Sequence, residues 1–193
     1  MTAAVIAAST SVIVAVLAFV LNQLGLLRQE RRTVRLNRVN SQLRDLYGPL
    51  NALVQANERI WEALRADHLP GRVDRKPGDG GAVWLQWRDE VFQPINRRMY
   101  ELIVPHADLL IDETLPDPLR DFCAHVVAQE FVRAAEREGK FERSLVAHPG
   151  EAFVSHVRQS FLELKSQQKV LLHSRTWSAV SGDRLYFLKP RRT

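Results

Sequence analysis

Asp121 and His125 stand four residues apart, so on a helix both side chains reach the same spot. His106, Asp108, Asp112 and Glu113 come shortly before them. Imidazoles and carboxylates gathered between helices are the donor set that holds divalent transition metals, which makes His106, Asp112, Asp121 and His125 the candidate ligands. The chain contains neither the Glu-x-x-His pairs of di-metal bundles nor a His-x-x-x-His. A simpler arrangement puts Asp121 in the first turn of a helix, where it faces the positive N-terminus, with His125 hydrogen-bonded locally. Cys123 is the single cysteine, so no intrachain disulfide forms, and its place in an apolar stripe is that of a small hydrophobe. There is no phosphate-cradling glycine loop with its lysine and no Gly-x-Ser-x-Gly elbow, and Gly78-Asp79-Gly80-Gly81 is too short and acidic to substitute for one. No reaction, substrate or cofactor is identified. The expectation is a non-enzymatic interaction or scaffold protein, the alternatives being a metal-dependent enzyme using the four residues above or a membrane effector or sensor.

The elements that position these residues are helical. Leu36, Val39, Leu43, Leu46, Leu50, Leu53, Asn57, Ile60 and Leu64 recur at alternating steps of three and four, the seam of a helix lying lengthwise on others. Gly48-Pro49 interrupts it, and the missing proline donor predicts a kink or a break, with Pro49 opening the next helix. Asn57 is expected to turn to solvent. His68 to Gly81 has the glycine and proline content of a loop. Trp84, Trp87, Val91, Ile95, Met99 and Leu102 predict a third helix, kinked or restarted at Pro94 and closed by Pro105, with the tryptophans as anchors between helices. Asp117-Pro118 reads as a cap followed by a first-turn proline. Leu119, Phe122, Cys123, Val126, Val127, Phe131 and Ala135 then form one stripe stopped by Gly139. After His148-Pro149-Gly150, the series from Phe153 through Val157, Phe161 and Leu164 to Leu172 marks the last long helix. No internal repeat stands out, and only Leu185 to Leu188 has strand-like character.

The first 27 residues contain no Asp, Glu, Lys or Arg. From Ala3 to Leu21 the run is long enough, as a helix of roughly 28 Å, to cross the apolar layer of a bilayer. Arg28, Arg31, Arg32, Arg35 and Arg38 come next, opposed only by Glu30. Positive flanks stay in the cytoplasm, which directs the N-terminus outward and the remainder inward. A cleaved signal fits poorly, since a basic leading region and a small-x-small site are both missing. The arginines are expected to contact anionic lipid headgroups. Ala3, Ala7, Ser11 and Ala15 line one face at the spacing that lets spanning helices associate, so a protein partner or a homo-oligomer is expected through Ala7, Ser11 and Ala15. The net charge of +5 resides at the two ends of the folded part, whose middle is mildly acidic, and this argues against nucleic acid as a partner.

Asn37-Arg38-Val39-Asn40-Ser41-Gln42-Leu43 leading into Leu46-Tyr47-Gly48-Pro49-Leu50 resembles the opening of a family of short, membrane-anchored bacterial proteins without assigned function. Val91-Phe92-Gln93-Pro94-Ile95-Asn96 with Met99, Leu102 and Ile103 is similar to that family's middle segment. His125, Gln129-Glu130 and Leu164-Lys165-Ser166-Gln167-Gln168 with Leu171-Leu172 fit its end. The resemblance implies an inner-membrane helical domain and carries over no catalytic residue. The expected architecture is therefore all-α: a transmembrane anchor at residues 1–27, a juxtamembrane basic helix at 28–47, a cytoplasmic bundle of four to five helices at 48–175, and a basic tail at 176–193.

Overall fold

In a computed structural model, the backbone is described for residues 2–67, 81–140 and 144–183, and the side chains for residues 14–66, 83–140 and 144–173. The described residues are helical, with turns and short irregular connections between, and hold no strand; the Leu185 to Leu188 patch lies outside them. Helix α1 is Thr2–Ser41, α2 Gly48–Asp67, α3 Gly81–Trp87, α4 Gln93–Ile103, α5 Asp117–Arg137 and α6 Glu151–Asp183. Two compact units divide the chain, one formed by residues 1–39 and 168–193 and the other by residues 40–167. The second takes in the last turns of the segment expected to be juxtamembrane.

The expected break at Gly48-Pro49 does not occur. A π-helical stretch, Gln42–Tyr47, joins α1 to α2 with helical backbone angles held through Ser41 and Gly48. The Gly48 N–H donates five residues back, to the Leu43 carbonyl. Proline at position 49 has no N–H for the carbonyl four residues earlier, and in an ordinary helix its ring would collide with that carbonyl. The wider turn removes the collision and keeps the rod continuous. A second π-helical stretch, Arg88–Phe92, does the same ahead of Pro94, with the Gln93 N–H donating five back to the Arg88 carbonyl. The surrounding sequences correspond: Arg44-Asp45-Leu46-Tyr47-Gly48-Pro49-Leu50-Asn51 and Arg88-Asp89-Glu90-Val91-Phe92-Gln93-Pro94-Ile95-Asn96 differ by one residue of spacing, a local recurrence too short to stand out as a repeat.

Each π turn holds one extra residue, which rotates the rest of the rod by about 100° relative to an uninterrupted helix. The buried faces shift accordingly. On α2, Leu50, Val54 and Leu64 are buried, while Leu53 and Ile60 are only half-buried. On the third helical rod, Phe92, Gln93, Asn96, Met99 and Ile103 are buried in place of Val91, Ile95 and Leu102. Tyr47 is fully buried, and its hydroxyl accepts from the Ile111 N–H at 3.4 Å. Around it, Leu46, Leu50, Ile103, Leu119, Val126, Val157 and Leu164 complete a core in which each large side chain contributes about 1.5–3 kcal/mol.

Asp117 is not the cap of α5. Pro116 occupies that position with extended backbone and no side-chain bond, and Asp117 is the first helical residue, paired with Arg120 at 2.9 Å. At the other end, Gly139 takes φ +73°, and the Lys140 and Gly139 N–H groups donate to the Ala135 and Glu136 carbonyls, so the expected glycine stop is a Schellman motif. Arg88, Asp89, Glu136 and Arg133 form an ion-pair chain that fastens the second π turn to α5, helped by Arg97 to Glu130 at 2.6 Å.

In the first unit, Arg32 donates through Nε and Nη2 to the Leu171 carbonyl, the former at 3.1 Å. Among the described residues no helix is long and apolar enough to cross a membrane. The side chains of residues 1–13, which begin the expected span and include Ala7 and Ser11, lie outside the described residues, as does the tail from residue 184.

A Cβ at Gly48 would collide with the Leu43 carbonyl oxygen. In an ordinary helix interior Gly→Ala stabilises by about 1 kcal/mol. At this position the sign reverses: Gly48→Ala lowers the unfolding free energy by about 1–3 kcal/mol in a denaturant titration.

Candidate functional site

The four candidate metal ligands do not come together among the described residues. Asp121 is exposed and sits beside Arg120, whereas Asp112 is exposed on the connection after the 3₁₀ turn Ala107–Leu109. The His106 Nδ1 bonds the carbonyl of Leu102, one turn back on its own segment. His125 is buried and turned to the connection before α6, with Nδ1 2.9 Å from the Val146 carbonyl. Among the described residues no group of three or more His, Cys, Asp or Glu side chains is placed to hold a metal ion. Cys123 is buried as expected, and burial pushes its thiol up to about 11, so at neutral pH it is not a thiolate nucleophile.

His125 belongs instead to a cavity of about 800 Å³ within the second unit, between α2, the α3–α4 rod, α5 and the start of α6. One wall is aromatic. Trp61 from α2 meets Trp84 and Phe92 edge-on, with ring centroids 5.7 Å away in both cases, and Trp84 lies 5.9 Å from Phe92. The opposite side is built on Phe122 and Phe153, stacked at 4.0 Å, with the His148 ring edge-on to both and 5.0 Å from His125.

Between these walls the lining is polar. Gln93 and Asn96 are buried there, and Asn57 and Gln129 join them. The side-chain oxygens of Asn57 and Asn96 are both buried and have no hydrogen-bond partner. Leaving a buried acceptor unsatisfied costs about 1–3 kcal/mol, so two at one cavity is a departure from ordinary core construction.

Hydrogen bonds fix the two imidazoles. A carbonyl only accepts, so His125 carries a proton on Nδ1, and in the neutral ring Nε2 is then the lone pair. A backbone N–H only donates, so His148, which receives the Gly150 N–H at 2.9 Å on Nδ1, carries its proton on Nε2. Burial, and secondarily the charge His125 can bear, pushes His148 down to about 4, which keeps it neutral at pH 7.

The site is built by the folding constraint already described. The π turn at Arg88–Phe92 advances the helix phase so that Phe92, Gln93 and Asn96 face inward. Gly150, with φ +58°, turns the chain sharply enough to bring His148 back over Phe153. The spacing rule passes over Gln93 and Asn96 because it assumes an unbroken 3.6-residue period. The signal that finds them is the matching aromatic-x-Pro-x-Asn in Tyr47 to Asn51 and Phe92 to Asn96.

No family model matches the chain, and no curated protein or solved structure matches it either.

The unfolded chain protonates histidine near pH 6.5, whereas folded His148 does so only near 4. The unfolded state therefore binds the extra proton first, and stability that is complete above pH 6.5 is lost as pH falls toward 4. With the exposed outer edge of the ring allowed for, the loss amounts to about 1 kcal/mol. Thermal melts at pH 7 and pH 4.5 check it. His148→Asn, whose oxygen still accepts from Gly150, flattens the difference.

Proposed function

We propose that the protein is a single-pass, membrane-anchored helical interaction module of the bacterial inner membrane, with its N-terminus outside and its bundle held at the cytoplasmic face. The observation that carries this reading is the outer surface of α1. Val14, Val16, Leu17, Phe19, Val20, Leu21, Leu24, Leu26 and Leu27 are all substantially exposed, and no charged residue occurs among or before them. A helix apolar around its whole circumference gains nothing from water, and lipid is the solvent that suits it. The described part of this surface reaches roughly 20 Å, and the uncharged residues before Val14 supply the rest of a span.

Arg28, Arg31, Arg35 and Arg38 are exposed just beyond the apolar surface, in the position expected of headgroup contacts, whereas Arg32 is engaged with the Leu171 carbonyl. Ala7, Ser11 and Ala15 supply the small-residue face through which two spans would approach, making a homo-oligomer or a membrane partner part of the same proposal. On the bundle, Val127 and Phe131 lie one turn apart on α5 and are both exposed, an outward apolar pair of the kind a protein partner covers. The likeness of residues 35–172 to short membrane-anchored bacterial proteins accords with this reading.

Alkaline extraction of cell membranes tests it. The native chain stays with the lipid pellet, and a reporter fused after Thr193 is active only in the cytoplasm. Introducing Val14→Arg and Leu17→Arg together, each costing about 2.5–3.5 kcal/mol in the apolar layer, moves the chain to the supernatant. Native chain recovered in the supernatant, or a reporter active only outside the cell, overturns the proposal.

A further inference from the structure

Of the surfaces and cavities in the described residues, the one between Trp61, Trp84 and Phe92 on one side and His125 and His148 on the other is built as a binding site. Its volume is that of a small-molecule pocket, and its walls are flat and apolar. Its buried atoms without a hydrogen-bond partner are both acceptors. The oxygens of Asn57 and Asn96 are acceptors without donors, and Asn96 is only 6% exposed. Neutral His125, with its proton on Nδ1, offers Nε2 as a further acceptor. Around the mouth, Glu58 is paired with Arg158, Glu62 with Arg59, and Arg88 with Asp89 and Glu136, so the rim carries little unpaired charge of either sign. The two unsatisfied oxygens favour a guest that donates hydrogen bonds.

We propose that this cavity binds a small, flat organic molecule of the amidine or aromatic amine class, its ring set against the Trp61, Trp84 and Phe92 wall and its N–H groups donated to Asn57 and Asn96. The aromatic faces suit a delocalised cation as well as a ring. The π turn shapes the site, since an uninterrupted helix would bring Val91 and Ile95 inward in place of Gln93 and Asn96. The inference is independent of how the protein is anchored, because every contributing residue belongs to the unit of residues 40–167.

Benzamidine is the probe, with benzoate as the acceptor-only control of the same size and shape. Full-length protein in a neutral maltoside detergent is titrated with each, binding being followed by saturation-transfer NMR on the probe's ring protons and by tryptophan emission, with protein-free micelles subtracted. Benzamidine is expected to bind with an affinity in the millimolar range or better, as its size allows, and benzoate not to bind. Asn96→Leu weakens benzamidine by about tenfold or more while raising the melting temperature, because it removes an unsatisfied buried oxygen. Asn57→Leu is the second arm should the first variant fail to fold. Absence of benzamidine binding to folded native protein, equal binding of benzoate, or unchanged affinity in a folded leucine variant overturns the proposal. In those cases ordered water alone satisfies the two asparagines.

Discussion

A proline within a helix deprives one carbonyl of its donor and presses its ring against the turn before it. This chain meets that constraint twice, at Pro49 and Pro94, without ending the helix on either occasion. In both places the preceding turn widens so that the residue before proline donates five positions back, Gly48 to Leu43 and Gln93 to Arg88. Glycine at position 48 is required by the same geometry, since a side chain there would strike the Leu43 carbonyl. Because each widened turn adds a residue, the faces of two rods are rotated together, and the core is assembled on the rotated faces. Phe92, Asn96 and Ile103 are inside for this reason.

The rotation also separates two kinds of interior. On one side of the bundle Leu46, Leu119, Val157 and Leu164 are fully enclosed, with Gln42, Asn51 and Ser160 buried among the core residues. On the other, amide side chains meet a cavity walled by aromatic rings, where their oxygens have no partner. A core under selection for stability alone would replace such amides by leucine of similar volume. Asn57 and Asn96 open on the cavity beside two imidazoles, whereas the unsatisfied atoms of Asn51 and His156 lie away from it. The ion-pair chain from Arg88 through Asp89 to Arg133 and Glu136 anchors the π turn from outside and so holds the cavity wall in place.

Much of the fold can be read from residue order alone, for identifiable reasons. The glycine stop at Gly139, the turn at His148 to Gly150 and the all-helical class depend on local backbone rules, and these hold in the structure. The faces are less legible. Val91, Ile95 and Leu102 fit an ideal period, yet Phe92, Asn96 and Ile103 are the buried ones, because periodicity counts residues and cannot register one absorbed by a wide turn. Asn57 falls on the seam by spacing, and its oxygen is buried although an amide there is expected to turn to water. The pairing of Asp121 with His125 satisfies helical spacing but not tertiary placement, since His125 is drawn to the Val146 carbonyl by a loop that no spacing rule reaches. The arginine collar and the uncharged stretch before it are plain in composition, and α1 carries its apolar surface outward along the described part.

Couplings transmitted across backbone hydrogen bonds test the central constraint directly. In a long-range HNCO spectrum of isotope-labelled protein, the Gln93 amide nitrogen is predicted to couple to the carbonyl carbon of Arg88, and that of Gly48 to Leu43. Couplings to Asp89 and Arg44 instead would mean an ordinary helical ladder. The phase shift would then be absent, and with it the placement of Phe92, Gln93 and Asn96 on which the site depends.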